Sequence, residues 1–121
     1  MRKVVVESPY NSKDLAIIER NTAYARACLH DCFLQGDAPF ASHLLYTQPG
    51  ILRDGVPEER ALGIEAGLLW VQTAEATVVY TDFDITPGMQ KGIDRATSEN
   101  RPIEYRTLPP DSWFFKNYPK R

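Results

Sequence analysis

Short β-branched runs alternate with longer segments of helical spacing along the chain. Residues 3–7, KVVVE, are such a run and predict a buried strand. The turn-rich loop 8–14 follows, with Ser12 or Asp14 placed to cap a helix. Over 14–36 a stripe of Leu15, Ile18, Thr22, Ala25, Leu29 and Cys32 has helical spacing, and Gly36 is a natural stop. Residues 38–42, APFAS, read as a second strand, and 43–55 as a loop or a short helix and turn. A second long helix is expected over 56–74: Pro57 suits the first helical position, and Glu58 and Glu59 suit the positive end of the helix dipole. Its apolar stripe runs through Ile64, Leu68 and Val71, widened by Leu69 and Trp70. Residues 76–82, ATVVYTD, form the strongest strand signal; 86–100 predict a helix capped by Thr86 with Pro87 next, and 102–107 a fourth strand.

Strand, helix, strand, helix, strand, helix, strand is the signature of an α/β chain. The fold expected is a doubly wound (flavodoxin- or Rossmann-like) sheet of about four parallel strands with helices on both faces. It occupies one domain, residues 1–108. The remainder, 109–121, is an aromatic and proline-rich tail; Trp113, Phe114, Phe115 and Tyr118 predict that it packs on its own domain or on a neighbouring subunit.

Composition narrows the function. At 121 residues with 43% hydrophobic and 25% charged positions, the chain suits one globular domain. A net charge of −2 argues against nucleic acid as a partner, which needs a basic face. No apolar run is long enough to span a membrane, and the N-terminus MRKVVVESPY has no signal-peptide pattern. Cys28 and Cys32 share one helical face, too few for a zinc site and badly placed for a disulfide, so they read as buried core residues of a cytoplasmic protein.

In an open parallel sheet, ligands bind beyond the carboxyl ends of the strands. Those ends offer Ser8, Pro9 and Tyr10 after the first strand, His43 after the second, and Asp82 and Asp84 after the third, with Arg20 on the first helix near the first loop. The helix start Thr86-Pro87-Gly88-Met89 adds free backbone N–H groups able to hold a phosphate or a sugar oxygen. Each of these has a duller reading as a cap, a packed ring or a surface charge; it is their convergence from independent strand ends that marks a site.

These blocks, ESPY, RNTAYAR, APFASHLLYTQ, PEERALGIEAG and ITPGMQKGIDRA before RPIEYR, resemble the nucleoside 2-deoxyribosyltransferase-like superfamily, in particular its small members in bacteria and phages. The resemblance spans roughly residues 3–106. It implies cleavage of an N-glycosidic bond, with a glutamate on the helix after the third strand attacking the anomeric carbon and an aspartate on the preceding helix helping to protonate the base. It also implies a homodimer or larger homo-oligomer and no cofactor or metal. Tyr10 then matches the base-side tyrosine, His43 the position after the second strand, and Gly88 the glycine that opens the nucleophile helix. The glutamate position falls on Gly92 and the aspartate position on Gly67. The nearest carboxylates, Asp94 and Glu65, are each two residues away, a rotation of about 200° around a helix.

Losing both carboxylates points to a pocket that binds a nucleotide or nucleotide-derived molecule, sensing or sequestering it without cleavage. On this reading Gly92 removes a negative charge and makes room for a larger or more anionic ligand, with Lys91 close by. The alternative is an N-glycosidase or deoxyribosyltransferase with relocated carboxylates, Asp82 and Asp84 being the catalytic candidates. A third reading is an interaction module that docks through the tail.

Overall fold

The computed structural model describes residues 1–120. In chain order the elements are β1 (Arg2–Glu7), α1 (Leu15–Leu34), β2 (Asp37–Phe40), α2 (Ser42–Leu45), α3 (Pro57–Val71), β3 (Ala76–Tyr80), α4 (Pro87–Ser98), β4 (Ile103–Arg106) and α5 (Phe114–Asn117). The four strands form one sheet in the order β2-β1-β3-β4, every pairing parallel. This is the doubly wound α/β architecture. The chain winds outward from β1 to β2 on one side and from β3 to β4 on the other, which puts a topological switch point between β1 and β3.

Local chemistry explains the element ends. The Asp14 carboxylate accepts from the Ala16 N–H and caps α1, so Asp14 rather than Ser12 is the cap. Thr86 accepts from the Met89 N–H and caps α4, with Pro87 at its first position. Gly36, at φ 82°, turns the chain from α1 into β2 in a conformation that only glycine adopts at no steric cost.

Alternation along the strands divides the core into two layers. Val4, Val6, Val78 and Tyr80 face α1, where they meet Tyr24, Ala27, Cys28 and Cys32. On the other face Val79 packs with Met89 and Ile93 of α4 and with Ile103. Both cysteines are free and buried, and burial pushes both thiols up.

The inward face of α1 differs from the apolar stripe. Leu15 is 80% exposed, while Asn21, Tyr24, Ala25, Ala27, Cys28, Asp31 and Cys32 are buried. Hydrogen bonding makes the difference. The Asn21 amide donates to the Tyr10 carbonyl, Tyr24 Oη to Asp82, and Tyr80 Oη to Asp31, so these polar groups go inward without a desolvation penalty. The same layer holds an ionic cluster that crosses the sheet. Arg106 on β4 donates to Asp37 on β2 at 2.9 Å and to Glu104 at 3.1 Å, and Arg2 on β1 donates to both acids as well.

Helix α3 is the exception to good packing. Gly67 is its one buried residue, and Leu62, Ile64, Leu69 and Trp70 are more than half exposed. After β4, Leu108 and Phe114 return to the α1 layer. Phe114 is fully buried, its ring centroid 5.3 Å from Tyr24 and 4.9 Å from Tyr118. Arg121, the last residue of the tail, lies outside the described residues.

Candidate functional site

The strand-end residues do not converge on one point; the sheet separates them. On the α1 side, Arg20 and Asp82 line a cavity of about 980 Å³ walled by Phe83, Phe115 and Tyr118. Arg20 lies 4.0 Å over the Phe83 ring. The Asp82 carboxylate is committed: Tyr24 Oη donates to it at 2.5 Å and the Leu108 N–H at 3.0 Å, tying β3, α1 and the tail together. Asp84 is exposed, at φ 63°.

Above the carboxyl ends of β1 and β2, Ser8 and Pro9 are buried, and Ser8 Oγ lies 3.5 Å from His43 Nε2. The Tyr10 and His43 rings lie 5.0 Å apart, tilted by 34°. Burial pulls His43 down to about 4, so the ring is neutral at physiological pH. Tyr10 and His43 line a pocket of about 160 Å³ together with Tyr46, Asp54, Glu59 and Arg60.

The third cavity, about 480 Å³, lies on the α4 face beside the switch point, in the size range of small-ligand sites. Its wall includes Glu7, Ser42, Gly67, Gly88 and Gly92, with the basic side chains of Arg60, Lys91, Arg95 and Arg101. It shares Ser42, Arg60 and Ile64 with the Tyr10–His43 pocket, so the two cavities are neighbours. Thr86 and Met89 build the start of α4 rather than this wall: the Thr86 hydroxyl holds the Met89 N–H, and the Met89 side chain is buried in the core.

Glu7 was not among the residues singled out from sequence. Under strand alternation it shares the α4 face with Val5. A Cβ built on Gly92 falls on the Glu7 carboxyl group itself. The expectation that Gly92 leaves room and removes a charge is therefore corrected: a carboxyl group from the neighbouring strand fills that space. Gly67 is close-packed too, since a Cβ there meets Ser42 Cβ at 3.0 Å. Neither glycine leaves a void.

Burial pushes the Glu7 carboxyl up to about 7, against an opposing pull from the positive charge of Arg101. Arg101 is itself occupied by Thr77 Oγ1 at 2.9 Å, Glu99 at 2.8 Å and the Val71 carbonyl at 3.2 Å. Among the described residues no side chain donates a hydrogen bond to Glu7. The carboxyl group opens on the cavity: among the described residues no side-chain oxygen is both buried and without a hydrogen-bond partner, so the Glu7 oxygens stay within reach of solvent or a ligand.

The two glycines respond differently to substitution. Gly92→Ala meets only the far end of a flexible side chain, and alanine favours the helix by about 1 kcal/mol. It is expected to leave thermal stability within about 1 kcal/mol of wild type while turning Glu7 into the cleft. Gly67→Ala meets the short, rigid Ser42 and is expected to cost about 1–2 kcal/mol by overpacking. Urea melts of both variants check the contrast.

Comparison with known proteins bears on the fold. A solved structure of a 2-deoxyribosyltransferase from the psychrotolerant bacterium Bacillus psychrosaccharolyticus superposes with a TM-score of 0.57 at 18% identity, over 87% of this chain and 72% of that one. At that identity the likeness establishes a shared fold. No curated protein matches the chain. A family model does match, over residues 2–106, and by it the chain belongs to the family described as a domain of unknown function, DUF7768.

Proposed function

We propose that the chain binds a nucleotide or nucleotide-derived small molecule across the α4-face cleft and the neighbouring Tyr10–His43 pocket. The observation that carries this reading is the unpartnered Glu7 carboxyl group set among Arg60, Lys91, Arg95 and Arg101. A carboxylate accepts from sugar hydroxyls, and basic side chains bind phosphate. The Tyr10 and His43 rings offer apolar faces for a base, and Gly88 brings the start of α4 close to the ligand. The 2-deroxyribosyltransferase fold of the solved neighbour supports the same ligand class. On this reading Ser8 and Pro9 shape the base end, and Arg20 and Asp82 support the fold from the opposite face. The protein works in the cytoplasm as a homodimer or larger assembly, with the exposed apolar side of α3 as the self-contact.

Titration calorimetry with nucleosides, nucleoside 5′-monophosphates and cyclic nucleotides tests the proposal. The 5′-monophosphates are expected to bind, and Lys91→Ala with Arg95→Ala to weaken them about tenfold or more, each charge-assisted contact contributing over 1 kcal/mol. Equal affinity for nucleosides and nucleotides would remove the phosphate from the model, and no heat with any of them would remove the ligand class.

A second reading, N-glycosidic cleavage, is favoured by one observation. Gly67 and Gly92 carry no carboxylate, but Glu7 brings one to the wall of the cleft.

A further inference from the structure

We propose that the cavity on the α1 face is a second binding site, separate from the α4-face cleft, and that it takes a free amino acid with an aromatic side chain in its zwitterionic form.

The sheet stands between the two cavities, and they share no wall residue. The α1-face cavity, about 980 Å³, is built by Arg20 of α1, by Asp82 and Phe83 after β3, and by Phe115, Tyr118 and Lys120 of the tail. Arg20 and Asp82 carry opposite charges, yet they form no ion pair with each other. Each is held by its own support. The Arg20 guanidinium lies 4.0 Å over the Phe83 ring, and the Asp82 carboxylate is tied to Tyr24 and Leu108.

Each charge also keeps an atom unused. Arg20 Nε and Nη2 both donate to Asn21 Oδ1, which leaves Nη1 without a partner among the described residues. On Asp82, the Tyr24 hydroxyl and the Leu108 N–H both donate to Oδ2, and no protein donor reaches Oδ1. Among the described residues no buried side-chain nitrogen or oxygen lacks a partner, so Nη1 and Oδ1 are both accessible in the wall of the cavity.

Two opposite charges held apart, each with a free hydrogen-bonding atom, match a ligand that carries a carboxylate and an ammonium group together. A simple anion would be repelled by Asp82, and a simple cation by Arg20 and Lys120. The α-carbon of a free amino acid presents both groups at once. The rest of the wall is aromatic. Tyr118 stacks on Phe114 with ring planes 15° apart, which leaves its other face to extend the stack onto a flat ring. Lys120 lies 4.8 Å over the Phe115 ring and adds a second positive charge for the carboxylate. The volume has room for an indole, the largest of the aromatic side chains.

Titration calorimetry of the full chain with three probes tests the site: L-tryptophan, its amide, which lacks the carboxylate, and its N-acetyl derivative, which lacks the ammonium. Slightly acidic buffer keeps both free amines charged. L-Tryptophan is expected to saturate below about 1 mM, and each derivative to bind roughly tenfold or more weakly, the loss of one charge-assisted contact. Arg20→Gln is expected to weaken L-tryptophan and the N-acetyl derivative but not the amide. Asp82→Asn keeps an oxygen for Tyr24 and Leu108 and replaces the free oxygen by an amide nitrogen. It is expected to weaken L-tryptophan and leave the N-acetyl derivative unchanged; if its melt shows it unfolded, the N-acetyl comparison on wild type carries that arm. Lys91→Ala with Arg95→Ala, across the sheet, is expected to change none of the three. No saturation by L-tryptophan, equal affinity for the three probes, an Arg20→Gln variant that binds like wild type, or loss of binding in the Lys91 and Arg95 variant each overturns the site. The nucleotide reading of the α4-face cleft stands or falls on its own titrations.

Discussion

Arg106→Met is expected to lower the unfolding free energy by about 3 kcal/mol, the cost of taking the shorter of two ion pairs from a buried carboxylate. Asp37 is 4% exposed, and its carboxylate is shared between Arg2, at 3.3 Å, and Arg106, at 2.9 Å. The methionine fills much of the volume but offers no donor, so Asp37 keeps the longer bond alone and Glu104 loses one of its two arginines. A loss of that size moves the melting temperature of a chain this long by roughly 10 °C. Arg53→Ala is the control. Its ion pair with Glu59 stands in solvent, where water screens it, so its loss is expected to leave the melt nearly unchanged. Urea melts that show equal losses for the two variants would contradict the cross-sheet cluster as a structural tie.

Glu7 and His43 are expected to give the protein opposing pH dependences that nearly cancel. Glu7 titrates near 7 when folded and near 4.5 when unfolded, so between these values the folded state binds the extra proton. Its presence therefore favours folding fully below pH 4.5, and that contribution is lost as pH rises through 7. His43 is the reverse, near 4 when folded and 6.5 when unfolded. Its neutral burial is fully tolerated above pH 6.5 and becomes a cost as pH falls through 4. Each shift corresponds to on the order of 3 kcal/mol. Glu7→Gln should then be more stable than wild type by that amount at pH 8 and equal to it near pH 4. His43→Gln should match wild type at pH 8 and exceed it near pH 4. Asp54 faces His43, and Arg101 faces Glu7, as the nearest charges in each case. Chemical melts across pH 4–8 read the differences directly. A Glu7→Gln variant no more stable at pH 8 would mean that the carboxyl group is well solvated and not held against α4.

The order of elements was legible because the signals are local. β-branched runs, the Thr86-Pro87 start of α4 and the Gly36 stop act within a few residues of themselves. What was not legible depends on partners distant in the chain. The inward face of α1 follows Asn21, Tyr24 and Asp31, polar residues that a hydrophobic pattern assigns to solvent and that go inside because Tyr10, Asp82 and Tyr80 receive them. Asp82 and Arg20 are expected in one site with Gly88 and Gly92, yet the first two open on the α1 face and the last two on the α4 face. Glu7 was passed over as the polar end of a strand. The signal that finds it is the pairing of two facts: period two puts it on the face of Val5, toward α4, and the α4 position facing it is a glycine.

The Arg106–Asp37 bond joins the two outermost strands of the sheet across 69 residues of chain. It can close only after β1 and β3 have paired between them, so it belongs to the last stage of assembly. Interactions formed after the transition state leave the folding rate untouched and govern how long the native state survives. This ion pair is thus a kinetic clasp. Its removal should shorten the lifetime of the folded sheet about a hundredfold, as 3 kcal/mol placed wholly on the unfolding limb requires, while refolding proceeds at an unchanged pace.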